Sequence, residues 1–193
     1  MYGCLFCTTT WVDRACAMAG IRLTDLERRR LIASLLSRWH LILSGPSGIG
    51  KSQLAYALAL SIARGQRRRV CLLQGHPWWA ASTGNIGHFV KLQTEFSVWR
   101  LAYFAESALH SQQPSSQVQT ESDTGDYVAC VVRMSPVEIE LYFRVVSQWW
   151  LQSAWGNARP APIRLIGAYD SSTPPDLDDQ ILRATALVHL SGA

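Results

Sequence analysis

The feature that most constrains this chain is a glycine-rich segment, Gly45 to Ser52, which reads GPSGIGKS. It matches the pattern G-x-x-x-x-G-K-[ST] in full. The residues before it, His40 to Ser44, are apolar and typical of a buried parallel strand. The alanine- and leucine-rich residues from Ser52 to Arg64 predict a helix. A strand, a glycine loop and a helix in this order direct backbone N–H groups at an anion, so the segment predicts a phosphate-binding loop.

Two side chains at the end of this loop have predicted tasks. Lys51 would reach the β- and γ-phosphates of a nucleotide, and the hydroxyl of Ser52 would bind Mg²⁺ as the metal ligand. Because such a loop binds only phosphates, its residues do not choose between ATP and GTP. The predicted nucleotide-binding residues are Gly45, Pro46, Ser47, Gly48, Ile49, Gly50, Lys51, Ser52 and Gln53.

The rest of the chain alternates strand and helix patterns. Thr24 and Glu27 have the spacing of a capping box, which predicts a helix over residues 25–38. Further strands are predicted at 70–74, 127–132, 163–168 and 186–190, with helical patterns near 101–108, 136–149 and 178–183. This alternation predicts an α/β fold with a parallel five-stranded sheet and helices on both faces. Residues 1–22 are expected to be an N-terminal extension, and residues 23–193 a single nucleotide-binding domain.

Composition argues against several other classes of protein. Hydrophobic residues make up 48% of the chain, but no apolar run reaches the roughly 18–20 residues of a membrane-spanning helix. A cytoplasmic location without membrane association is therefore expected. The five cysteines are scattered, which favours reduced thiols, and Cys4 and Cys7 have the spacing of only half a zinc site. The arginine triplets at 28–30 and 67–69 favour a solvated surface, with nucleic-acid contact as the alternative.

With the loop placed, four segments resemble the McrB-like and dynein-related branch of the AAA+ ATPases. LILSGPSGIGKS is similar to the strand and Walker A motif of that family, and VCLLQGHPWWAASTGNIGHF to its second strand and the loop that follows. MSPVEIELYF resembles the segment after Walker B, and LIGAYDSSTPPDLDDQILRATALVHL the sensor 1 strand with a following Leu-Asp-Arg-Ala segment. The resemblance implies an AAA+ core with strand order 5-1-4-3-2, ATP and Mg²⁺ as ligands, and a homo-oligomer or partner subunit.

The resemblance also implies roles for two further side chains. Asp170 stands at the sensor 1 position, where a polar group helps to place the attacking water, with a turn or helix cap as the alternative. Arg183 matches the arginine of the Leu-Asp-Arg-Ala segment, which acts on the γ-phosphate of a neighbouring subunit; an exposed arginine at a helix end is the alternative. Lys51, Asp170 and Arg183 are thus the predicted catalytic residues. Relatives continue into a helical lid that this chain, which stops at Ala193, is expected to lack.

The chain departs from the family at Walker B. Relatives have two acids before the methionine, which orient the Mg²⁺ shell and the attacking water, whereas this chain has Val132 and Arg133. Glu138 or Glu140 is the alternative source of a base. We therefore expect an ATP-binding AAA+ module, at most weakly hydrolytic, in an oligomeric remodelling or restriction-type complex. A non-catalytic nucleotide-binding scaffold is the main alternative. A P-loop small-molecule kinase is a third, although no arginine-rich lid follows Ser111.

Overall fold

The computed structural model of the protein describes residues 5–75, 99–108, 126–134, 139, 141–144, 163–170 and 179–192. The strands within these ranges are β1, His40–Gly45; β2, Val70–Gln74; β3, Tyr127–Met134; β4, Ile163–Asp170; and β5, Thr185–His189. They form one parallel sheet in the order β2-β3-β4-β1-β5. This is the predicted order 5-1-4-3-2, so the prediction of an α/β fold with a P-loop NTPase core is confirmed.

Six helices lie in the described part of the chain. They are α1, Leu5–Ala19; α2, Asp25–Ser37; α3, Lys51–Ile62; α4, residues 99–108; α5, residues 139 and 141–144; and α6, Asp179–Ala184. A 3₁₀ turn, Arg67–Arg69, precedes β2. None of the helices in these ranges has the length and apolarity that crossing a bilayer requires.

Helix α1, which falls within the predicted N-terminal extension, was not anticipated from the sequence. Consecutive threonines at its start lower the local helix propensity, because β-branched side chains lose rotamer freedom in a helix. Packing compensates, since α1 lies against α3 and buries Val12 and Ala15 completely. The extension therefore contributes directly to the hydrophobic core.

Apolar side chains alternate along the strands between two cores, one on each face of the sheet. The first core lies under α1, α2 and α3, and its strand residues include Leu41, Leu43, Val128, Cys130 and Ile166. The second core lies under α4, α5 and α6, and its strand residues include Ile42, Ala129, Val131, Met134 and Leu165. Helices therefore cover both faces, as the alternating pattern of strands and helices predicts.

A β-bulge interrupts β3 close to its end. Its pairing with β4 is regular up to Val131 and resumes at Met134, with Val132 and Arg133 opposite a single residue of β4. Strict alternation would turn Arg133 toward the second core, which Val131 and Met134 line. The extra residue instead leaves Met134 in that core and Arg133 exposed, with a left-handed φ of 58°.

A buried polar cluster lies at the amino edge of the sheet, where the parallel strands begin. The Nδ1 atom of His40 accepts a hydrogen bond of 3.0 Å from the Leu165 N–H. The Arg164 guanidinium lies 4.5 Å from the Trp39 ring centroid and 3.9 Å from an Asp126 carboxylate oxygen. Burial, reinforced by the Arg164 charge, lowers the pKa of His40 to about 4. Asp126 thus belongs to this edge and not to the opposite one, where the glycine loop lies.

Candidate functional site

The glycine-rich loop joins β1, an interior strand of the sheet, to α3. Gly45, the last residue of β1, has a φ of 146°, and a Cβ there would lie 2.3 Å from the Leu190 carbonyl oxygen. Gly50, just before α3, has a φ of 87°, and a Cβ there would lie 2.6 Å from Cδ1 of Ile21. The positive φ favours glycine at both positions, and at Gly45 the backbone carbonyl also leaves no room for a Cβ. The loop is therefore packed tightly at its two ends.

The amino end of α3 opens toward this loop. Its N-cap is Gly50, no side chain caps it, and its first turn contains no acidic residue. The first N–H groups of an α-helix have no partner within the helix, and the helix dipole places partial positive charge there. This end of α3 is therefore suited to bind an anion such as a phosphate.

Lys51, the first residue of α3, is ion-paired with Asp170. Its Nζ lies 2.7 Å from Oδ1 of Asp170 and also donates a hydrogen bond to the Pro46 carbonyl oxygen. The lysine side chain is only 2% exposed, whereas that of Asp170 is 44% exposed. Ser47 donates a hydrogen bond of 3.5 Å to the other carboxylate oxygen. The Asp170 carboxylate therefore contacts the same Lys51 ammonium that a bound phosphate group would contact.

Asp170 reaches the loop because β4 lies beside β1. Asp170 and Gly45 are register partners in the parallel pair of these strands. The structure thus brings Asp170 together with Lys51, two of the three residues predicted to be catalytic. Whether Asp170 places a water at this position stays a prediction. Its alternative role as a cap concerns Ser171 and Ser172, which lie outside the described residues.

Ser52 and Gln53 follow in the first turn of α3, where Ser52 is half-buried and Gln53 exposed. The Ser52 hydroxyl has no hydrogen-bond partner within the described ranges. Mg²⁺ at nucleotide sites takes one or two protein oxygens and completes its shell with phosphate oxygens and waters, a role that one hydroxyl fits. Elsewhere in the described residues, no group of three or more His, Cys, Asp or Glu side chains could hold a metal ion.

The end of β3 lies at the same edge and carries no acid. Val132 packs against the first core, and its carbonyl accepts a hydrogen bond of 2.7 Å from the Gly75 N–H. Arg133 is exposed at the bulge. Neither side chain can orient a Mg²⁺ shell or accept a proton from water. The alternative bases, Glu138 and Glu140, lie outside the residues that the structure describes.

Arg183 is not near the loop of its own chain. It is exposed on α6, which ends at Ala184 just before β5. The first residue of β5, Thr185, pairs with His40 at the start of β1, whereas the loop follows the end of β1. Arg183 therefore lies toward the amino edge of the sheet, where it cannot reach a phosphate bound beside Lys51. Action on a neighbouring subunit and a role as an exposed arginine at a helix end both stay predictions.

Four cysteines lie in the described region, and the most deeply buried of them, Cys130, is unreactive. Among the described residues, no disulfide joins Cys7, Cys16, Cys71 or Cys130 to another cysteine. Burial, with a smaller contribution from Cys71, raises the pKa of the Cys130 thiol to about 12. A thiol protonated under all ordinary conditions is not a nucleophile. Cys4, the partner of Cys7 in the half-zinc spacing, lies outside the described residues.

The sequence did not reveal a contact that fixes the segment after β5 beside the loop. Glu27 accepts hydrogen bonds of 2.8 and 2.9 Å from the N–H and hydroxyl of Ser191, in addition to those from Thr24. Burial alone would raise the pKa of Glu27, but these hydrogen bonds outweigh it and lower the pKa to about 2. A Cβ on Gly192 would lie 2.8 Å from Cγ2 of Ile49 in the loop. The capping box identifies Glu27, but no pattern in the sequence pairs it with Ser191.

No protein-family profile matches the chain, and no curated protein matches it. The chain resembles a chain of the E. coli MS115-1 HORMA:CdnC:Trip13 complex at 14% identity, covering 97% of this chain and 60% of that one, with a TM-score of 0.45. It also resembles a mutant of Thermotoga maritima RuvB at 16% identity, covering 95% and 46%, with a TM-score of 0.37. The chain thus spans about half the length of these solved chains. Evidence on its function comes from the site itself.

Proposed function

We propose that the protein is a nucleotide-binding module of the AAA+ type, similar to the McrB-like and dynein-related branch, which binds ATP with Mg²⁺ inside an oligomeric complex. The observation that carries this proposal is the uncapped amino end of α3, with the buried Lys51 as its first residue and the glycine loop folded before it. The family resemblance favours ATP. GTP remains an alternative base, because the loop residues bind only phosphates.

Binding would exchange one partner of Lys51 for another. The ammonium would leave the Asp170 carboxylate for the β- and γ-phosphates, and the N–H groups of α3 would bind the same anion. Releasing Asp170 would cost about 1 kcal/mol, because that side chain is 44% exposed and is readily solvated once it leaves Lys51. The Ser52 hydroxyl would hold Mg²⁺, which neutralises part of the phosphate charge.

A second candidate function is a scaffold that binds nucleotide without turning it over. The end of β3 favours it, since Val132 and Arg133 replace both acids that hydrolysis needs. The two candidates share the same binding site and differ only in turnover. Binding and phosphate release must therefore be measured on the same protein.

The decisive test is Lys51→Ala, with titration calorimetry of Mg-ATP and Mg-GTP. Affinity should fall about 10- to 100-fold, because a hydrogen bond between charged groups contributes roughly 1.5–3 kcal/mol. Arg30→Ala is the matched control, since it removes an exposed positive charge from α2. Circular dichroism checks that both variants fold. Equal affinity in the wild type and Lys51→Ala would show that this loop is not the phosphate site.

A further inference from the structure

Arg133 combines an exposed positive charge with a backbone conformation that arginine rarely adopts. Its φ is 58°, and among the described non-glycine residues only Arg64 is also left-handed. This conformation is unfavourable for a residue that has a Cβ, and such strain persists where the surrounding structure imposes it. Bulges are frequent beside functional sites, where they redirect a side chain. At the end of β3 the bulge turns Arg133 away from the second core and into solvent.

Arg133 lies at the edge of the sheet that carries the glycine loop. Strand β4 lies between β1 and β3, so β1 and β3 are about 9–10 Å apart across the sheet, which is two strand spacings. The Lys51 ammonium contacts Asp170 at the end of β4, and therefore lies on the β3 side of the loop. The Arg133 guanidinium has no hydrogen-bond or ion-pair partner within the described residues.

The charges at this edge leave a place for one more anion. Lys51 and Asp170 neutralise each other. Of the five residues that end the described strands or adjoin their ends, Gly45, Gln74, Arg133, Asp170 and His189, Arg133 alone carries a permanent positive charge. A guanidinium presents a planar set of donors that matches two phosphate oxygens at once.

We propose that Arg133 binds the terminal phosphate of a nucleoside triphosphate, so that the site prefers triphosphate to diphosphate although it lacks the acids for hydrolysis. This inference rests on the proposed nucleotide-binding function. A diphosphate would fill the loop and the amino end of α3, whereas the further phosphate of a triphosphate would lie beyond them, beside Lys51 at the end of β4. Arg133 forms no covalent bond in this role; it only supplies positive charge and hydrogen-bond donors.

Arg133→Gly tests the inference, because glycine removes the charge and also relieves the left-handed strain. The variant should lose about tenfold in affinity for a non-hydrolysable Mg-ATP analogue and less than twofold for Mg-ADP, measured by calorimetry. Its melting temperature should rise by about 2–4 °C. Arg64→Gly is the matched control, because it relieves the same left-handed strain just after α3. It should raise the melting temperature by a similar amount and leave the affinities for both nucleotides unchanged.

Arg133→Asn provides a second charge-free variant, since asparagine tolerates the left-handed region better than most residues. It should show the same loss of triphosphate preference as Arg133→Gly. An unchanged ratio of the two affinities in both variants would overturn the role of Arg133 while leaving the nucleotide site intact. A wild-type protein that binds neither nucleotide would instead overturn the proposed function, and this inference with it.

Discussion

The ends of β1 and β3 lie at one edge of the same sheet but differ in what they can do. After β1, the glycine loop, the uncapped amino end of α3 and the buried Lys51 together are suited to bind a phosphate. At the end of β3, a bulge exposes Arg133, and Val132 packs against the first core. In the proposed function, phosphate binding would depend on the first end and water activation on the second. The difference teaches that one fold can keep the features that suit phosphate binding while it lacks the acids that activate water.

The largest expected effect is on hydrolysis, and it tests the end of β3. Losing the acid that orients water removes a contribution of about 10²–10⁴ in rate. Steady-state phosphate release by the wild type should therefore lie well below about 1 s⁻¹, the lower part of the ordinary range for enzymes. Turnover at or above that value would break the comparison, and Glu138→Gln and Glu140→Gln would then identify the acid responsible.

Glu27→Gln tests how firmly the segment after β5 is held beside the glycine loop that follows β1. Glu27 accepts two hydrogen bonds from Ser191 in that segment. At pH 7 the variant should lose about 1–3 kcal/mol in free energy of unfolding. The folded pKa of Glu27, about 2, is below its ordinary value of 4.5, so its contribution is complete above pH 4.5 and is lost as the pH falls toward 2.

His40 contributes in a separate pH window. Its pKa falls from 6.5 to about 4 on folding, so the wild type should already lose stability between these two values. Urea unfolding from pH 7 to pH 2.5 should show the same loss in both proteins down to pH 4.5, and a flatter profile for Glu27→Gln below it. Parallel profiles below pH 4.5 would contradict the assignment to Glu27.

The Asp170→Asn variant tests whether the Asp170 carboxylate competes with phosphate for Lys51 or takes the place of the acids missing from β3. If it competes with phosphate for Lys51, its removal should raise nucleotide affinity about three- to tenfold, because a repelling negative charge disappears. Asp13→Asn is the control, since it removes a carboxylate from the Arg28 ion pair between α1 and α2. Calorimetry that instead finds weaker Mg²⁺-dependent binding would assign Asp170 to the metal, in place of the acids missing from β3.

The smallest expected effect concerns assembly. Arg183 cannot act on the loop of its own chain, so any contact with nucleotide is made with a neighbouring subunit. We predict weak self-association that increases with a non-hydrolysable nucleotide and decreases in Arg183→Ala. Light scattering at several protein concentrations measures it, with Arg30→Ala as the charge-matched control. A strict monomer under all conditions would remove Arg183 from the functional residues.

Elements determined by local pattern could be predicted from the sequence. β2 was predicted with the observed bounds, Val70–Gln74, because an apolar run stands between an arginine triplet and Gly75. The start of α2 was correct because its capping box is formed by neighbouring residues. The order of the strands was predicted from the family resemblance. That resemblance depended on one specific motif, the glycine loop, and on three segments that are each only weakly similar.

Features that depend on contacts between distant residues could not be predicted in this way. β3 was expected to end at Val132, because an arginine after an apolar run indicates a strand end, and only pairing with β4 extends it through the bulge to Met134. The same holds for the contact of Glu27 with Ser191. Asp170 was identified as a site residue, but its ion pair with Lys51 follows from the register of β4 against β1.

The position of β1 between β4 and β5 has a consequence for synthesis of the chain on the ribosome. Leu43 in β1 pairs with Ala168 in β4 and Val188 in β5, so both neighbours of the strand that precedes the loop are made long after it. A nascent chain can pair β2 with β3 earlier, but β1 has neither partner until residues 163–190 have emerged. A nucleotide bound as proposed would therefore stabilise only a chain whose late strands are already in place.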